Sequence, residues 1–157
     1  MPQVEVEAFI HAPLAVVYAL AKDVERFPEF MPDLESVRVL ERGGNRTVTE
    51  WQGRVQGRRI RWVEEDEWDD AHYTCTFRQR EGDFDRYEGT WAFMPVEGGC
   101  STRLVIDFDL KIPLIGPLLV NLVQALVRRN AENMLDALRR RAEQAGQAAG
   151  RNPEEPV

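Results

Sequence analysis

Histidine, lysine and cysteine are scarce in this chain, with two of each: His11 and His72, Lys22 and Lys111, Cys75 and Cys100. A structural zinc site needs three or four converging nitrogen and sulfur ligands, and these residues are too few and too scattered to supply them, so no metal is expected. The cysteines form no CxxC pattern. A disulfide is geometrically open to them, but reduced thiols in a cytoplasmic protein are the better expectation. The start, MPQVEVEAFIHAP, has no charged residues followed by an apolar run, so no signal peptide is expected. Long hydrophobic runs are also missing. The most apolar stretch, IPLIGPLLVNLVQALV, spans about sixteen residues against the ~20 a membrane span requires, and Asn121 and Gln124 interrupt it. Stable membrane insertion is therefore not expected, although transient contact with a membrane surface is compatible with this segment. No basic stretch offsets a net charge of -7, which argues against nucleic acid as a partner. A P-loop, a dinucleotide fingerprint and a catalytic triad are all absent. GGNR and GDFDR read as turns, not phosphate cradles, and no cofactor is expected.

What is present is a single domain's worth of chain. Its 157 residues, 43% hydrophobic and 30% charged, suit one globular unit with a real core. That unit is expected over residues 2–146, followed by a small, polar, disordered tail over 147–157. Val4 to Ile10 alternates as a half-buried strand. Pro13 then opens a short helix with Val16, Val17 and Leu20 on its apolar face. Asp23 is placed to cap a second short helix that Pro28 ends. Six further strands follow, punctuated by short turns: Ser36 to Glu41, Arg46 to Val55, Arg58 to Trp68, His72 to Arg80, Phe84 to Pro95 and Cys100 to Lys111. Turns this short join antiparallel neighbours. Apolar residues then recur at helical spacing (Leu119, Leu122, Val123, Leu126, Val127, Met134, Leu138), predicting one long helix from near Leu114 to near Ala145.

A lone amphipathic helix must lay its stripe on the sheet, and one helix covers a broad curved sheet incompletely. The expected fold is α+β: a curved antiparallel sheet of six to seven strands around a long C-terminal helix, with two short helices after the first strand. Such an arrangement tends to enclose a pocket. Alternation assigns the inward face. It carries Thr47, Thr49, Trp51, Gly53 and Val55; Ile60, Trp62, Glu64, Asp66 and Trp68; Tyr73, Cys75 and Phe77; Asp85, Tyr87, Gly89, Trp91 and Phe93; and Thr102, Leu104, Ile106, Phe108 and Leu110. The candidate ligand-binding set is Trp51, Trp62, Tyr73, Phe77, Tyr87, Trp91, Leu104 and Ile106 from the sheet, with Val123, Val127 and Asn130 from the helix. Plain core filling is the competing reading for each aromatic. Tyrosines and tryptophans, however, need partners for their polar atoms when buried. Two carboxylates on an otherwise apolar face are costly unless paired or hydrated. Glu64 or Asp66 is the candidate general base and Tyr87 or Tyr73 the candidate donor, unless a bulge near Glu64 turns both carboxylates outward. Asn130 either bonds a ligand or a tyrosine, or sits on a helix face rotated toward water.

Several stretches carry a resemblance. They are IHAPLAVVYALAKDVERFPEFMPDLESVRVLE, WVEEDEWDD, FDRYEGTWAFMPVEGGCSTRLVIDFDLKIP and NLVQALVRRNAENMLDALRRRAE. Through them the chain resembles the START (SRPBCC) helix-grip superfamily, and within it the bacterial polyketide cyclase/dehydrase and coenzyme-Q-binding group. The resemblance covers residues 2 to about 145. It implies a sheet gripping a long helix, with a deep apolar cavity for a lipid, polyketide, quinone or other aromatic metabolite. In the coenzyme-Q-binding relatives a hydrophobic opening lies near the last helix, a part that Ile112, Leu114, Ile115 and Leu118 would play here. Three functions follow. The first is a carrier or binding protein for a hydrophobic small molecule. The second is an aromatase/cyclase or dehydratase on a polyketide-like substrate. The third is an interaction protein docking on a protein or membrane surface through the sheet edge or the Ile112–Leu119 segment. The sequence leaves the oligomeric state open.

Overall fold

The computed structural model describes residues 3–55, 57–110 and 117–150. Seven antiparallel strands form one sheet: β1 (Gln3–Ile10), β2 (Leu34–Gly43), β3 (Arg46–Val55), β4 (Arg58–Asp69), β5 (Thr74–Gly82), β6 (Arg86–Val96) and β7 (Gly99–Asp109). Their spatial order is β1-β7-β6-β5-β4-β3-β2. Six strands thus meander in sequence order, and the first strand adds beside the last, with Val6 opposite Leu104. The hairpin turns need left-handed backbone, which Gly57 and Gly98 supply at φ 77° and 83°.

Among the described residues three helices complete the fold: α1 (Leu14–Lys22), α2 (Phe27–Phe30) and α3 (Pro117–Gly150). A turn of 3-10 helix, Val24–Arg26, joins the first two. Pro28 does not end the second helix, as the sequence reading had it. It lies in the first turn of α2, where its missing N–H costs nothing, and Asp23 makes no side-chain cap. A second correction concerns β5, which begins at Thr74. His72 and Tyr73 belong to the preceding turn, and Tyr73 has φ 54°. Alternation therefore does not reach them. Helix α3 continues to Gly150, beyond the expected end near Ala145. The proposed gate residues Ile112, Leu114 and Ile115 lie outside the described residues, as does the tail from 151 onward. No helix among the described residues is long and apolar enough to cross a membrane.

Helix α3 packs on β1 and α1 through Ala131, Leu135, Leu138 and Ala142, spaced at helical intervals and all buried. It also covers the open edge of β1. Gln124 Nε2 donates to the Gln3 carbonyl at 3.2 Å and Arg128 Nη1 to that of Glu5 at 3.1 Å, which blunts the edge against pairing.

Candidate functional site

None of residues 121–130 of α3 is buried, although Val123 and Val127 reach toward the core. The space beneath this half of the helix is a cavity of about 450 Å³. Ile60 and Trp62 of β4, Tyr87 of β6, and Leu104 and Ile106 of β7 form its sheet wall. Val123, Leu126, Val127, Asn130 and Met134 form its helix wall. The mouth lies between the Met31–Leu34 segment, Gly53, Arg54 and Arg58 of the β3–β4 hairpin, and Leu122 of the helix, which is 46% exposed. Glycine at 53 matters here: a Cβ would lie 3.0 Å from the Asp33 carbonyl oxygen and push that segment outward.

An aromatic layer makes the floor. Trp62 stacks on Trp51 with ring centroids 5.8 Å apart and planes 5° from parallel. Tyr87 leans on Trp62 at 5.2 Å, on Phe84 at 4.7 Å and on Phe77 at 5.6 Å. Gly89 makes room for this packing, since a Cβ there would meet the Val105 carbonyl oxygen at 1.9 Å and the Phe77 ring at 2.7 Å.

Glu64 and Asp66 lie behind Trp62. Both point inward and are buried, at 5% and 4% exposure. A bulge does occur near Glu64, but on the neighbouring strand: Val63 pairs with Glu81 and Glu64 with Gln79, leaving Arg80 as the extra residue of β5. The phase of β4 is preserved, so neither carboxyl turns outward. The Trp62 indole Nε1 donates to Glu64 Oε1 at 2.7 Å. Thr49 Oγ1 donates to Asp66 Oδ2 at 2.7 Å and Thr47 Oγ1 at 3.1 Å, and Trp51 Nε1 donates to Thr49 Oγ1 at 2.8 Å. The two carboxyls also hydrogen-bond each other.

Burial, then the neighbouring Asp66 charge, holds Glu64 well above the ordinary glutamate range. Burial raises Asp66 too, but hydrogen bonds from Glu64 and the two threonines oppose it. Both carboxyls therefore keep a proton more readily than free ones would, and they titrate as a pair. Burial also raises the Tyr87 phenol, with the Glu64 carboxyl adding to it, so this hydroxyl stays protonated. Among the described residues it has no hydrogen-bond partner, while its ring faces the cavity.

Of the sequence-predicted ligand set, Trp62, Tyr87, Leu104, Ile106, Val123, Val127 and Asn130 line the cavity. Trp51 and Phe77 are buried one layer behind, against Trp62 and Tyr87. Trp91 and Tyr73 belong to the opposite end of the sheet. Trp91 stacks on Phe93 at 6.1 Å, and Tyr73, 38% exposed, meets Tyr18 edge-on at 5.1 Å. Of the candidate catalytic residues, only Tyr87 reaches the wall. Neither histidine does: His11 packs edge-on against Phe9, and exposed His72 pairs with Asp69. Sequence reasoning missed the mouth. Met31 and Pro32 fall between the second short helix and the next strand, where no period applies, and Arg54 is not on the inward face that alternation assigns to its strand. Arg58 and Asn133 carried no signal. No group of histidine, cysteine or acidic residues suited to a metal occurs among the described residues.

A family model described as polyketide cyclase / dehydrase and lipid transport matches residues 10–139. Among solved structures, the protein TTHA0849 from Thermus thermophilus is 42% identical, with a TM-score of 0.87 over 96% of this chain and 100% of that one. The aromatase/cyclase Zhui from Streptomyces sp. R1128 is 24% identical, with a TM-score of 0.87 over 94% and 97% of the two chains. A START superfamily protein from Mycobacterium smegmatis is 20% identical, with a TM-score of 0.79 over 91% and 98%. At those two identities the likeness is one of fold. No curated protein matches the sequence.

Proposed function

The chain belongs to the polyketide cyclase / dehydrase and lipid transport family, and we propose that within it this protein is a carrier or binding protein for a hydrophobic small molecule held beneath α3. The observation that supports this reading is the composition of the cavity wall. It is aliphatic and aromatic over most of its area, of a size suited to a small ligand, and open at one end. Its polar groups are few: the Tyr87 hydroxyl and Asn130 inside, and Asp33, Arg54, Arg58 and Asn133 toward the mouth. General-base chemistry needs a base within about 3 Å of the proton it takes. Glu64 and Asp66 lie outside the wall, behind Trp62, so neither reaches a molecule held in the cavity.

One observation favours an aromatase/cyclase or dehydratase instead. Tyr87 lines the cavity with a phenol that stays protonated, a group able to donate to a developing enolate oxygen. It would need the proton to leave by a group not in the wall, so this reading ranks second.

The test is a titration with phenylnaphthylamine, a neutral apolar fluorophore, alongside native mass spectrometry and solvent extraction of the purified protein. Saturable binding that Val123→Phe weakens at least about tenfold supports the cavity as the site. Binding indifferent to that substitution would overturn it. An extracted ligand returned unchanged after prolonged incubation supports a carrier. A mass change lost in Tyr87→Phe would support the enzyme.

A further inference from the structure

The cavity has a chemical polarity that goes beyond hydrophobic binding. Three arginines crowd the β3–β4 hairpin at its mouth: Arg54, Arg58 and Arg59. Two acidic side chains stand among them, Glu35 and Asp33. Arg54 and Arg59 both bond Glu35, one to each carboxylate oxygen. Asp33 is turned toward the helix, accepting from Asn133 Nδ2 at 3.4 Å, while its backbone carbonyl accepts from the Arg54 N–H at 3.0 Å. Arg58 is left over. It lines the mouth and has no ion-pair partner among the described residues. The lip of the cavity thus carries a surplus positive charge in a chain whose net charge is -7.

Resting on the carrier reading, we infer that the ligand is an anionic amphiphile: an apolar body inside the cavity, with a carboxylate at the mouth against Arg58. A guanidinium presents paired N–H donors that match a carboxylate's two oxygens. At the lip the head group keeps part of its water, so pairing avoids the penalty of burying a charge. The reverse orientation would bring the anion to the aromatic floor, which offers no cation and has the buried Glu64 and Asp66 carboxyls behind it, and is disfavoured. Tyr87 and Asn130, which also line the cavity, carry donors suited to a neutral oxygen. An apolar cation of the same length meets a positive lip and gains nothing there.

The experiment uses the intact protein and displacement of bound phenylnaphthylamine by three chains of equal length: dodecanoate, dodecanol and dodecylammonium. Dodecanoate is expected to displace the probe at about five- to tenfold lower concentration than dodecanol, with dodecylammonium weakest. Added salt should narrow the gap. Arg58→Gln should bring dodecanoate to the level of dodecanol and leave dodecanol unchanged, while Arg78→Gln on the outer face of the sheet should change neither. Equal displacement by dodecanoate and dodecanol, or an Arg58→Gln loss shared equally by both, would overturn the inference and leave the cavity reading standing. If the probe binds but no chain displaces it, or the probe does not bind, the cavity reading fails and the inference falls with it.

Discussion

The two halves of α3 face the same sheet and do different things. From Ala131 to Ala142 the helix has a closed stripe, with Ala131, Leu135, Leu138 and Ala142 each at most 3% exposed, while Ala131, Asn133 and Met134 at its start still border the cavity. From 121 to 130 no residue is buried, Leu122 is 46% exposed, and the space below is a cavity. Side-chain size accounts for much of the contrast. Two alanines in the closed half let the helix approach its neighbours, and leucines fill the intervals. The same division runs through the sheet's aromatics. Tyr18, Trp68, Tyr73 and Phe93 interlock edge-on at the closed end, with Lys22 over the Tyr18 and Trp68 rings. Trp62 and Tyr87 present their rings to the cavity at the open end. One fold thus separates a region that secures the helix from a region that leaves room, and a ligand site needs both.

The contrast predicts unequal costs for equal truncations. Leu138→Ala removes a fully buried side chain from the closed half and should cost about 3 kcal/mol. Leu126→Ala removes one from the cavity wall, where part of the side chain already lacks neighbours, and should cost about 1 kcal/mol or less. Urea unfolding of both variants measures the difference. Equal losses would mean that the open half is packed as tightly as the closed one.

Enlargement should invert the pattern. Ala142→Phe overfills a site with no exposed surface and should destabilise by about 1–3 kcal/mol. Val123→Phe grows into the cavity and should leave stability within about 0.5 kcal/mol. Thermal denaturation compares the two, and a marked loss in Val123→Phe would show that the cavity cannot accept the added ring.

Much of this was legible from residues alone, and the misses have physical causes. Strand alternation and the helical stripe carried the α+β architecture, because periods of two and 3.6 residues leave different marks. Alternation also placed Trp62, Tyr87, Leu104 and Ile106 on the face that walls the cavity. It reports a face and not a position along the strand, so Trp91, on the same face of β6 as Tyr87, was grouped with it although it lies toward the closed end. It fails outright where the strand has not begun, as at Tyr73. The mouth was hidden for another reason. Met31, Leu34, Gly53 and Arg58 meet only because β2, β3 and β4 bring a connector and a hairpin together, and no period links them.

The smallest effect tests where the closed region ends beneath the cavity floor. Glu64 lies one layer below Trp62, and burial raises it above the ordinary value of 4.5. A carboxyl whose folded-state pKa exceeds its unfolded value holds its proton longer in the folded chain. Its contribution is fully present below the unfolded value and is lost as pH rises through the folded one. Asp66 is raised as well and acts in the same direction. Stability should therefore fall as pH rises from about 5 toward the alkaline range. Glu64→Gln keeps an acceptor for the Trp62 indole and a donor for Asp66 but has no proton to lose. It should flatten this decline while leaving stability near pH 5 within about 0.5 kcal/mol of the parent. Urea midpoints across the pH range measure both profiles. A parent profile already flat would mean that water reaches Glu64 from the cavity, placing the boundary between the open and closed regions below the carboxyl pair instead of at the Trp62 ring.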